Sequence, residues 1–323
     1  MALGEFDLIG KYFQRPPKRA LLGVGDDCAL IAPTPGMQLA ISSDMLVEGR
    51  HFLSTVEPAR LGHKALAVNL SDLAACGAKP LAYTLALALP RADDAWLEGF
   101  AEGLHALADT HDIELIGGDT TAGPLNICIT VFGDVPPGRA LRRDGARAGD
   151  TLWVSHPPGG GIGDARLALE VFRGRAAVAG EAFDRVRRAM EQPQPRVALG
   201  LALRGIATSA IDLSDGLCGD LAHVLKRSGV GARLDADALP TSAVLAAQPL
   251  ALKRECTLAG GDDYELLFTA PASADAAVHD AAASGGVAVS RIGRIEAGPG
   301  LRVLDDAGRL LPVGAGFDHF KTA

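Results

Sequence analysis

Aspartate recurs along the chain in short phrases that are rich in glycine and serine. These six phrases are GVGDD (23–27), SSD (42–44), LSD (70–72), GGD (117–119), DLSD (212–215) and GGDD (260–263). A single aspartate next to glycine usually caps a helix or closes a turn. The whole set favours another role, because short carboxylates flanked by small residues suit hard divalent cations such as Mg²⁺. Clustered carboxylates repel one another unless such cations neutralise them.

The phrase that contains Asp72 is the most unusual of the set. It lies in AVNLSDLAACG (67–77), inside a run of residues that favours helix. Asn, Ser and Asp are disfavoured in helix interiors, because their side chains compete for backbone hydrogen bonds. A bound metal is the partner that best explains an aspartate at this place.

Phosphoryl transfer from a nucleotide best accounts for several Mg²⁺ ions, because the metals bridge phosphate oxygens and neutralise developing charge. The usual nucleotide-binding signatures are missing, however. No G-x-x-x-x-G-K-[ST] motif occurs, and the segment PGGGIGDA (158–165) lacks both the G-x-G-x-x-G spacing and a lysine. A Walker-type kinase and a protein kinase are therefore disfavoured, and the glycine-rich loop at 159–163 is left without an assigned role.

The composition disfavours several other classes of protein. Hydrophobic residues make up 48% and charged residues 22% of the 323-residue chain, which is typical of a globular protein. The net charge of −8 and the lack of a basic block argue against nucleic acid as a partner. The sequence has no H-x-x-x-H pair for zinc and no G-x-S-x-G elbow. With 2 Trp and 3 Tyr, it offers few rings to stack on sugars, as a glycosidase would.

The cysteines and the apolar segments predict a cytoplasmic protein. The five cysteines are scattered with no C-x-x-C pair, which fits reduced thiols better than a disulfide framework. The N-terminal segment has no apolar core of a secretory signal. The longest apolar run, at 81–89, is about half of the roughly 20 residues that a membrane-spanning helix needs. We therefore expect no membrane association.

The elements that would position these aspartates alternate between strand and helix patterns. Strands are predicted at 38–43, 81–89, 126–132, 151–155, 209–213, 265–269, 287–295 and 301–304. Helices are predicted at 58–76, 93–111, 164–172, 183–191 and 217–227. The segment PPGRALRRDGARAGD (136–150) is rich in Pro, Gly and charge, which is typical of a connection between domains. The chain therefore predicts two α/β domains.

Taken in order, the motifs closely resemble those of the thiamine-monophosphate kinase family. They are GEFDLI (4–9), GVGDDCAL (23–30), AISSDMLVEGRHF (40–52), KALAVNLSDLAACGA (64–78), LIGGDTT (115–121), AIDLSDGL (210–217), GGDDYEL (260–266) and GFDHF (316–320). The resemblance covers nearly the whole chain. It implies an α/β protein with α+β-like mixed sheets and the two-domain architecture of aminoimidazole ribonucleotide synthetase.

The resemblance also implies a function and an assembly. An N-terminal domain (1–137) would bind ATP and Mg²⁺ and pair into a homodimer, a linker would span 138–149, and a C-terminal domain (150–323) would complete the site. The reaction would transfer the γ-phosphoryl group of ATP directly to thiamine monophosphate, which is the final step of thiamine diphosphate biosynthesis. Several Mg²⁺ ions would serve as cofactor, and no general base would be needed.

The resemblance assigns roles to individual residues. The magnesium positions are Asp26, Ser42, Ser43, Asp44, Asp72, Asp119, Asp212 and Asp215. The positions that contact ATP are Gly118, Asp119, Arg143 and Ser214, and those that face the substrate are His51, Asp262 and Gly314. Two positions depart from the family pattern, because Asp262 replaces a common glutamate and Gly314 stands where relatives often carry an aromatic residue.

Two alternative functions stay open on the sequence alone. One is another ATP-using synthetase of the same superfamily. A selenophosphate synthetase would need a catalytic N-terminal Cys, whereas the first cysteine here is Cys28, and a hydrogenase-maturation relative would need a C-terminal Cys, whereas this chain ends in DHFKTA. The other alternative is a non-catalytic protein that binds a nucleotide or thiamine diphosphate.

Overall fold

The computed structural model describes residues 4–312, and these form two compact units. The N-terminal unit contains residues 4–73 and 78–138, and the C-terminal unit contains residues 74–77 and 139–312. Each unit has its own sheet, so the two are described separately. No helix within residues 4–312 is long and apolar enough to cross a membrane.

The N-terminal unit is built around a four-stranded mixed sheet. Its elements are α1 (Glu5–Tyr12), β1 (Gln38–Val47), α2 (Pro58–Ala75), β2 (Lys79–Leu89), α3 (Asp94–Thr110), β3 (Glu114–Ala122) and β4 (Asn126–Val135). The strand order is β1-β4-β2-β3, with β4 antiparallel to both of its neighbours and β2 parallel to β3. Both edges of the sheet, β1 and β3, therefore carry an aspartate phrase.

Helices α2 and α3 cover one face of this sheet. Pro58 begins α2, where its missing N–H is not needed, and Gly77 follows the helix in a left-handed conformation at φ 63°. Asp93 caps α3 by accepting a hydrogen bond from the Trp96 amide. The two helices pack backbone to backbone, because a Cβ added to Gly103 would lie only 1.7 Å from the Ala59 carbonyl oxygen.

The other face of the sheet is less covered along β1. Residues of β1 alternate between the two faces, so Ser42, Asp44 and Leu46 lie on one side and Ile41 and Met45 on the other. Leu46 is 4% exposed, whereas Ile41 is 60% exposed and Met45 is 52% exposed. The β1 edge thus presents apolar side chains on the face away from α2.

The C-terminal unit is built around a seven-stranded mixed sheet. Its strands are β5 (Thr151–His156), β6 (Ser209–Asp212), β7 (Gly231–Asp235), β8 (Leu266–Ala270), β9 (Ala288–Glu296), β10 (Gly300–Leu304) and β11 (Leu310–Leu311), in the order β11-β10-β7-β9-β5-β8-β6. Its helices are α4 (Asp164–Phe172), α5 (Glu181–Glu191), α6 (Val197–Ala202), α7 (Leu217–Ser228), α8 (Ala243–Ala246), α9 (Leu250–Ala259) and α10 (Asp275–Ser284). Strands β5, β6 and β8 are entirely or largely buried.

The predicted α/β class with mixed sheets and two domains is confirmed. Strand β1 is longer than predicted, because it continues through Asp44 to Val47. The GGD phrase at 117–119 also lies inside a strand, β3, and not at a loop end. The prediction for α2 holds closely, so Asp72 does lie inside a helix.

Candidate functional site

Ser42, Asp44 and Asp72 come together on the α2 side of the N-terminal sheet. The Ser42 hydroxyl donates a hydrogen bond to the Asp72 carboxylate, with 2.5 Å between Oγ and Oδ2. One turn earlier in α2, the Asn69 side chain accepts a hydrogen bond from the Asp44 amide at 3.0 Å. Ser42 and Asp44 are two residues apart, so they share one face of the strand. Asn69 and Asp72 are three residues apart, so they share one face of the helix. The result is a set of hard oxygen donors at one place.

Asn69 is a member of this set that the sequence analysis did not assign. Its side chain is buried at 1% exposure, and its amide donates to the Ala65 carbonyl while its oxygen holds the Asp44 amide. Asn69 therefore fixes the strand next to Asp44. The sequence contained an indication of this role, because asparagine is disfavoured in the middle of an apolar helix.

His51 lies in the turn that follows β1. Its Nδ1 accepts a hydrogen bond from the Val47 amide at 3.0 Å, and its carbonyl oxygen accepts one from the Lys64 ammonium at 3.2 Å. Because Nδ1 is an acceptor, the neutral ring carries its proton on Nε2. Lys64 is only 2% exposed, so this turn is held from inside the unit.

Ser43 and Asp119 lie on the opposite face of the sheet from Asp72. The Ser43 hydroxyl contacts Thr130 on β4, with 3.0 Å between the two oxygens. Asp119 is in register with Ala86 of β2, and Ala86 is in register with Cys128 of β4. Side chains in register share a face, so Asp119 lies on the face that carries Ser43. The structure thus divides the predicted donors of this unit into two groups.

Asp26 and Asp119 line a common cavity beside α1. The cavity has a volume of about 580 Å³ and is lined by Glu5, Phe6, Ile9, Phe13, Val24, Gly25, Asp26, Asp27, Leu85, Leu115, Gly117, Gly118, Asp119 and Thr120. Its wall combines carboxylates from three segments, at Glu5, at Asp26 and Asp27, and at Asp119, with apolar side chains of α1. A site of this kind can hold a molecule that has both a charged part and a ring.

Gly118 is required by the backbone at this point. Its φ is 147°, and a Cβ at this position would lie 1.8 Å from the Leu85 carbonyl oxygen in the neighbouring strand. A register shift between Tyr83 and Thr84 precedes it along the β2–β3 pairing. Only glycine allows this close approach, and the local path places Asp119 at the cavity.

In the C-terminal unit, the DLSD phrase ends β6 and begins the loop before α7. Asp212 is buried at 4% exposure as the last residue of β6. The Asp215 amide donates a hydrogen bond to the Asp220 carboxylate at 3.1 Å. Burial, followed by the charge of Asp215, raises the pKa of Asp220 to about 7, against the opposing effect of the Arg143 guanidinium. Asp220 was not predicted, and it holds the loop that carries Ser214 and Asp215.

The GGDD phrase lies against this same loop. The Asp262 amide donates a hydrogen bond to the Ser214 carbonyl oxygen at 2.9 Å. Asp262 has a φ of 68°, a left-handed conformation that is uncommon for a residue with a side chain. The structure therefore brings the Asp262 backbone against the loop that carries Ser214 and Asp215. Gly314 lies outside the described residues.

The donor chemistry fits Mg²⁺. Carboxylate and hydroxyl oxygens are the ligands that this hard cation prefers, and its sites usually combine one or two carboxylates with phosphate oxygens and water. Asp44 and Asp72 on one face, and Asp26 and Asp119 at the cavity, each supply two carboxylates. Within residues 4–312, no group of three or more His, Cys, Asp or Glu side chains forms a ready-made metal cage.

Comparison with known families identifies both units. Residues 25–135 match the AIR synthase related protein, N-terminal domain, and residues 147–306 match the AIR synthase related protein, C-terminal domain. Apart from residues 74–77, which group with the C-terminal unit, the first matched segment lies in the N-terminal unit, and the second lies in the C-terminal unit. The aminoimidazole ribonucleotide synthetase-like architecture is thereby confirmed.

Individual relatives are similar over nearly the full chain. The thiamine-monophosphate kinase of Salmonella typhimurium is 46% identical over 100% of this chain and 100% of its own length. The crystal structure of thiamine-monophosphate kinase from Stenotrophomonas maltophilia is 48% identical, has a TM-score of 0.83, and covers 88% of this chain and 90% of that one. AaThiL complexed with AMPPCP and TMP is 28% identical, has a TM-score of 0.76, and covers 90% of this chain and 89% of that one.

Proposed function

The chain belongs to the thiamine-monophosphate kinase family, and we propose from this premise how its residues carry out ATP-dependent phosphorylation of thiamine monophosphate. The product is thiamine diphosphate. The main support is the 46% identity to a thiamine-monophosphate kinase over the full length of both chains. A relative bound to both AMPPCP and TMP supports the same pair of substrates.

The transfer proceeds directly from ATP to the substrate. A terminal oxygen of thiamine monophosphate attacks the γ-phosphorus in line with the leaving oxygen of ADP. A phosphate monoester has a second pKa of about 6, so this oxygen is already ionised near neutral pH. The protein therefore needs no general base, and no covalent phosphoenzyme forms. Its task is to hold the attacking oxygen of thiamine monophosphate in line with the γ-phosphorus of ATP.

The family resemblance gives eight residues that would hold Mg²⁺. They are Asp26, Ser42, Ser43, Asp44, Asp72, Asp119, Asp212 and Asp215. Bound Mg²⁺ supplies charge neutralisation on the phosphate oxygens. Of these residues, Ser42 orients the Asp72 carboxylate through its hydroxyl, and Asn69 fixes the backbone at Asp44. The Ser43 hydroxyl contacts Thr130 on the other face, so its assignment as a ligand depends on the family resemblance alone.

The residues that contact the two substrates form one group for ATP and one group for thiamine monophosphate. Gly118, Asp119, Arg143 and Ser214 bind ATP, and a guanidinium such as that of Arg143 can clamp a phosphate. His51 and Asp262 face thiamine monophosphate, and Gly314 is assigned to it as well. The support for His51 is its fixed tautomer, which presents an Nε2–H donor suited to a phosphate oxygen.

The active form is a homodimer that pairs through the N-terminal unit. The support is the row of apolar side chains on the open face of β1, where Leu39, Ile41 and Met45 are each more than half exposed. An apolar row on an edge strand is costly in water unless a partner covers it. The partners are thus ATP, thiamine monophosphate and a second copy of the chain. A cytoplasmic location fits an enzyme that consumes ATP.

One assay tests the proposed function against both alternatives. The purified chain is incubated with ATP, Mg²⁺ and thiamine monophosphate, and thiamine diphosphate and ADP are measured by chromatography. Equal amounts of the two products support ATP-dependent phosphorylation of thiamine monophosphate. ADP without thiamine diphosphate would favour another synthetase of the superfamily. Tight binding of either ligand with no turnover would favour a non-catalytic binding protein.

A further inference from the structure

The loop at 260–265 is held by the neighbouring DLSD loop along its backbone. Besides the bond from Asp262, the Tyr264 amide donates to the Leu213 carbonyl oxygen at 2.8 Å, and the Leu213 amide donates to the Glu265 carbonyl oxygen at 2.9 Å. The approach is close, because a Cβ added to Gly261 would lie 2.4 Å from the Ser214 carbonyl oxygen. The direction of the Asp262 side chain is therefore set by how this loop is fixed.

The loop contains two left-handed residues that carry side chains. Asp262 has a φ of 68° and Tyr264 has a φ of 50°. Such conformations are unfavourable for residues with a Cβ, and they persist where the surroundings over-determine them. Residues between and after these two positions must therefore supply contacts that hold the loop.

Asp263 and Glu265 supply those contacts. Asp263 Oδ1 accepts a hydrogen bond from the Gly163 amide at 2.8 Å, at the end of the glycine-rich loop. The Glu265 carboxylate accepts hydrogen bonds from Arg196 Nε at 2.7 Å and from the Ser155 hydroxyl at 2.5 Å. Glu265 is 3% exposed, so this ion pair lies in the interior of the unit.

The glycine-rich loop at 159–163 is packed as a fixed support. The Gly160 amide donates to the Pro157 carbonyl oxygen at 2.9 Å, and the Ile162 amide donates to the Pro240 carbonyl oxygen at 3.0 Å. A Cβ on Gly161 would lie 2.3 Å from the same Pro240 oxygen. Gly163 has a φ of 88°, and a Cβ there would lie 2.9 Å from the backbone of Cys256. Gly161 and Gly163 are thus needed for close packing, and the Gly163 amide holds Asp263.

We propose that Asp263 is a positioning residue, which ties the Asp262 loop to the glycine-rich loop and so places the Asp262 carboxylate for contact with thiamine monophosphate. This inference rests on the proposed function, which assigns Asp262 to the substrate. It gives the glycine-rich loop a role in substrate placement. A phosphate cradle would instead need outward-facing amides of the kind that this loop spends on its own packing.

A matched pair of variants tests the proposal. In Asp263→Asn the side-chain oxygen can still accept the hydrogen bond from the Gly163 amide, whereas in Asp263→Ala the bond is lost. Burial raises the pKa of Asp263 well above its ordinary value; the hydrogen bond from the Gly163 amide lowers this pKa, and the carboxylates of Glu265, Asp164 and Asp262 raise it. Asparagine keeps the size of the side chain and its accepting oxygen.

The expected result is a selective change in KM. Asp263→Ala raises the KM for thiamine monophosphate about tenfold, the effect of losing one buried hydrogen bond. The kcat and the KM for ATP stay within about twofold, and Asp263→Asn restores the KM for thiamine monophosphate. Ser242→Ala is the control, because Ser242 donates to Asp164 beside Gly163 without touching the 260–265 loop. It should leave all three constants unchanged.

Other results would overturn the proposal. Equal KM values for Asp263→Ala and the wild type, or equal defects in the alanine and asparagine variants, contradict it. If Asp263→Ala fails to fold, Asp263→Ser takes its place, since its hydroxyl is too short to reach Gly163. In an Asp262→Ala background the Asp263 substitution should add nothing further, and additive effects contradict the inference. An unchanged KM in Asp262→Ala itself would instead count against the substrate role of Asp262 in the proposed function.

Discussion

Asp72 lies in a helix that packs on the sheet largely through leucine side chains. Leu66, Leu70 and Leu73 are at most 1% exposed, and they pack α2 onto the sheet. A carboxylate in this setting adds nothing to packing, and its partial burial penalises its charge. The Ser42 hydroxyl offsets part of this penalty by donating a hydrogen bond. The position is thus costly for the fold and useful for binding a cation.

Removing the charge of Asp72 should therefore separate activity from stability. Asp72→Asn keeps the shape of the side chain and can still accept the hydrogen bond from Ser42. We expect kcat/KM to fall at least about a hundredfold, since one of the carboxylates that would hold Mg²⁺ beside the transferred phosphate is lost. Steady-state kinetics over a range of Mg²⁺ concentrations measures this effect. Circular dichroism should show an intact fold.

The control for Asp72→Asn is Glu102→Gln. Glu102 is an exposed residue of α3, so its substitution removes the same charge from the same unit without touching the proposed site. Its kinetics should match the wild type at every Mg²⁺ concentration. An Asp72→Asn enzyme with the wild-type rate at limiting Mg²⁺ would contradict the assignment of Asp72 to the metal.

At the scale of elements, local patterns predicted the segments that have a simple period. The helix at 58–75 and the strand at 79–89 follow directly from their apolar runs and their Pro and Gly boundaries. The extension of β1 to Val47 and the strand at 114–122 were not predicted. Polar and glycine residues such as Asp44 and Gly118 are poor strand formers, and here pairing with neighbouring strands overrides that preference.

The two adjacent glycines of β3 should respond differently to alanine. Gly118→Ala forces a side chain into a left-handed φ and onto the Leu85 carbonyl, so we expect a loss of roughly 3 kcal/mol or more in unfolding free energy. A Cβ added to Gly117 would meet no atom of the described residues within 4 Å apart from its chain neighbours, so Gly117→Ala should cost less than about 1 kcal/mol. Urea unfolding measures both values. Similar losses in the two variants would contradict the structural role of Gly118.

The packing of α1 on α3 should depend on pH through His105. Its Nε2 lies 2.9 Å from the Tyr12 carbonyl oxygen at the end of α1, which a neutral ring satisfies as donor. Burial lowers the pKa of His105 below its ordinary value of 6.5, and Arg15 adds to this, while the Tyr12 bond and Asp109 oppose it. Below the ordinary pKa, the unfolded chain binds the proton first. The unfolding free energy should therefore fall as the pH falls through the ordinary pKa towards that of the folded state.

His105→Gln isolates this contribution, because its side-chain amide can donate to the same carbonyl without titrating. We expect the wild type to lose more unfolding free energy than the variant between about pH 7.5 and about pH 5. Burial also lowers the pKa of His111, but that contribution is common to both proteins. Parallel curves of stability against pH would show that His105 does not titrate in this way.

At the scale of the whole molecule, the sequence indicated which residue types carry out the chemistry. It was less informative about the partners that hold those residues in place. The aspartate phrases were identified from composition and spacing. The pair of Arg196 with Glu265 was not, because the two residues lie far apart along the chain. Arg196 and Glu265 are 69 positions apart and are joined only by tertiary packing. No local pattern carries that information.

The apolar face of β1 gives a prediction for the assembly. Ile41 is 60% exposed at the centre of the row formed with Leu39 and Met45. If a second copy covers this row, Ile41→Glu buries an unpaired carboxylate and should weaken the dimer at least about tenfold.

Leu310→Glu is the control, because Leu310 is 67% exposed but belongs to the C-terminal unit. Sedimentation velocity at several concentrations should show a dimer for the wild type and for Leu310→Glu, and dissociation for Ile41→Glu. A wild-type monomer, or a dimer that Ile41→Glu leaves intact, would remove this face from the assembly.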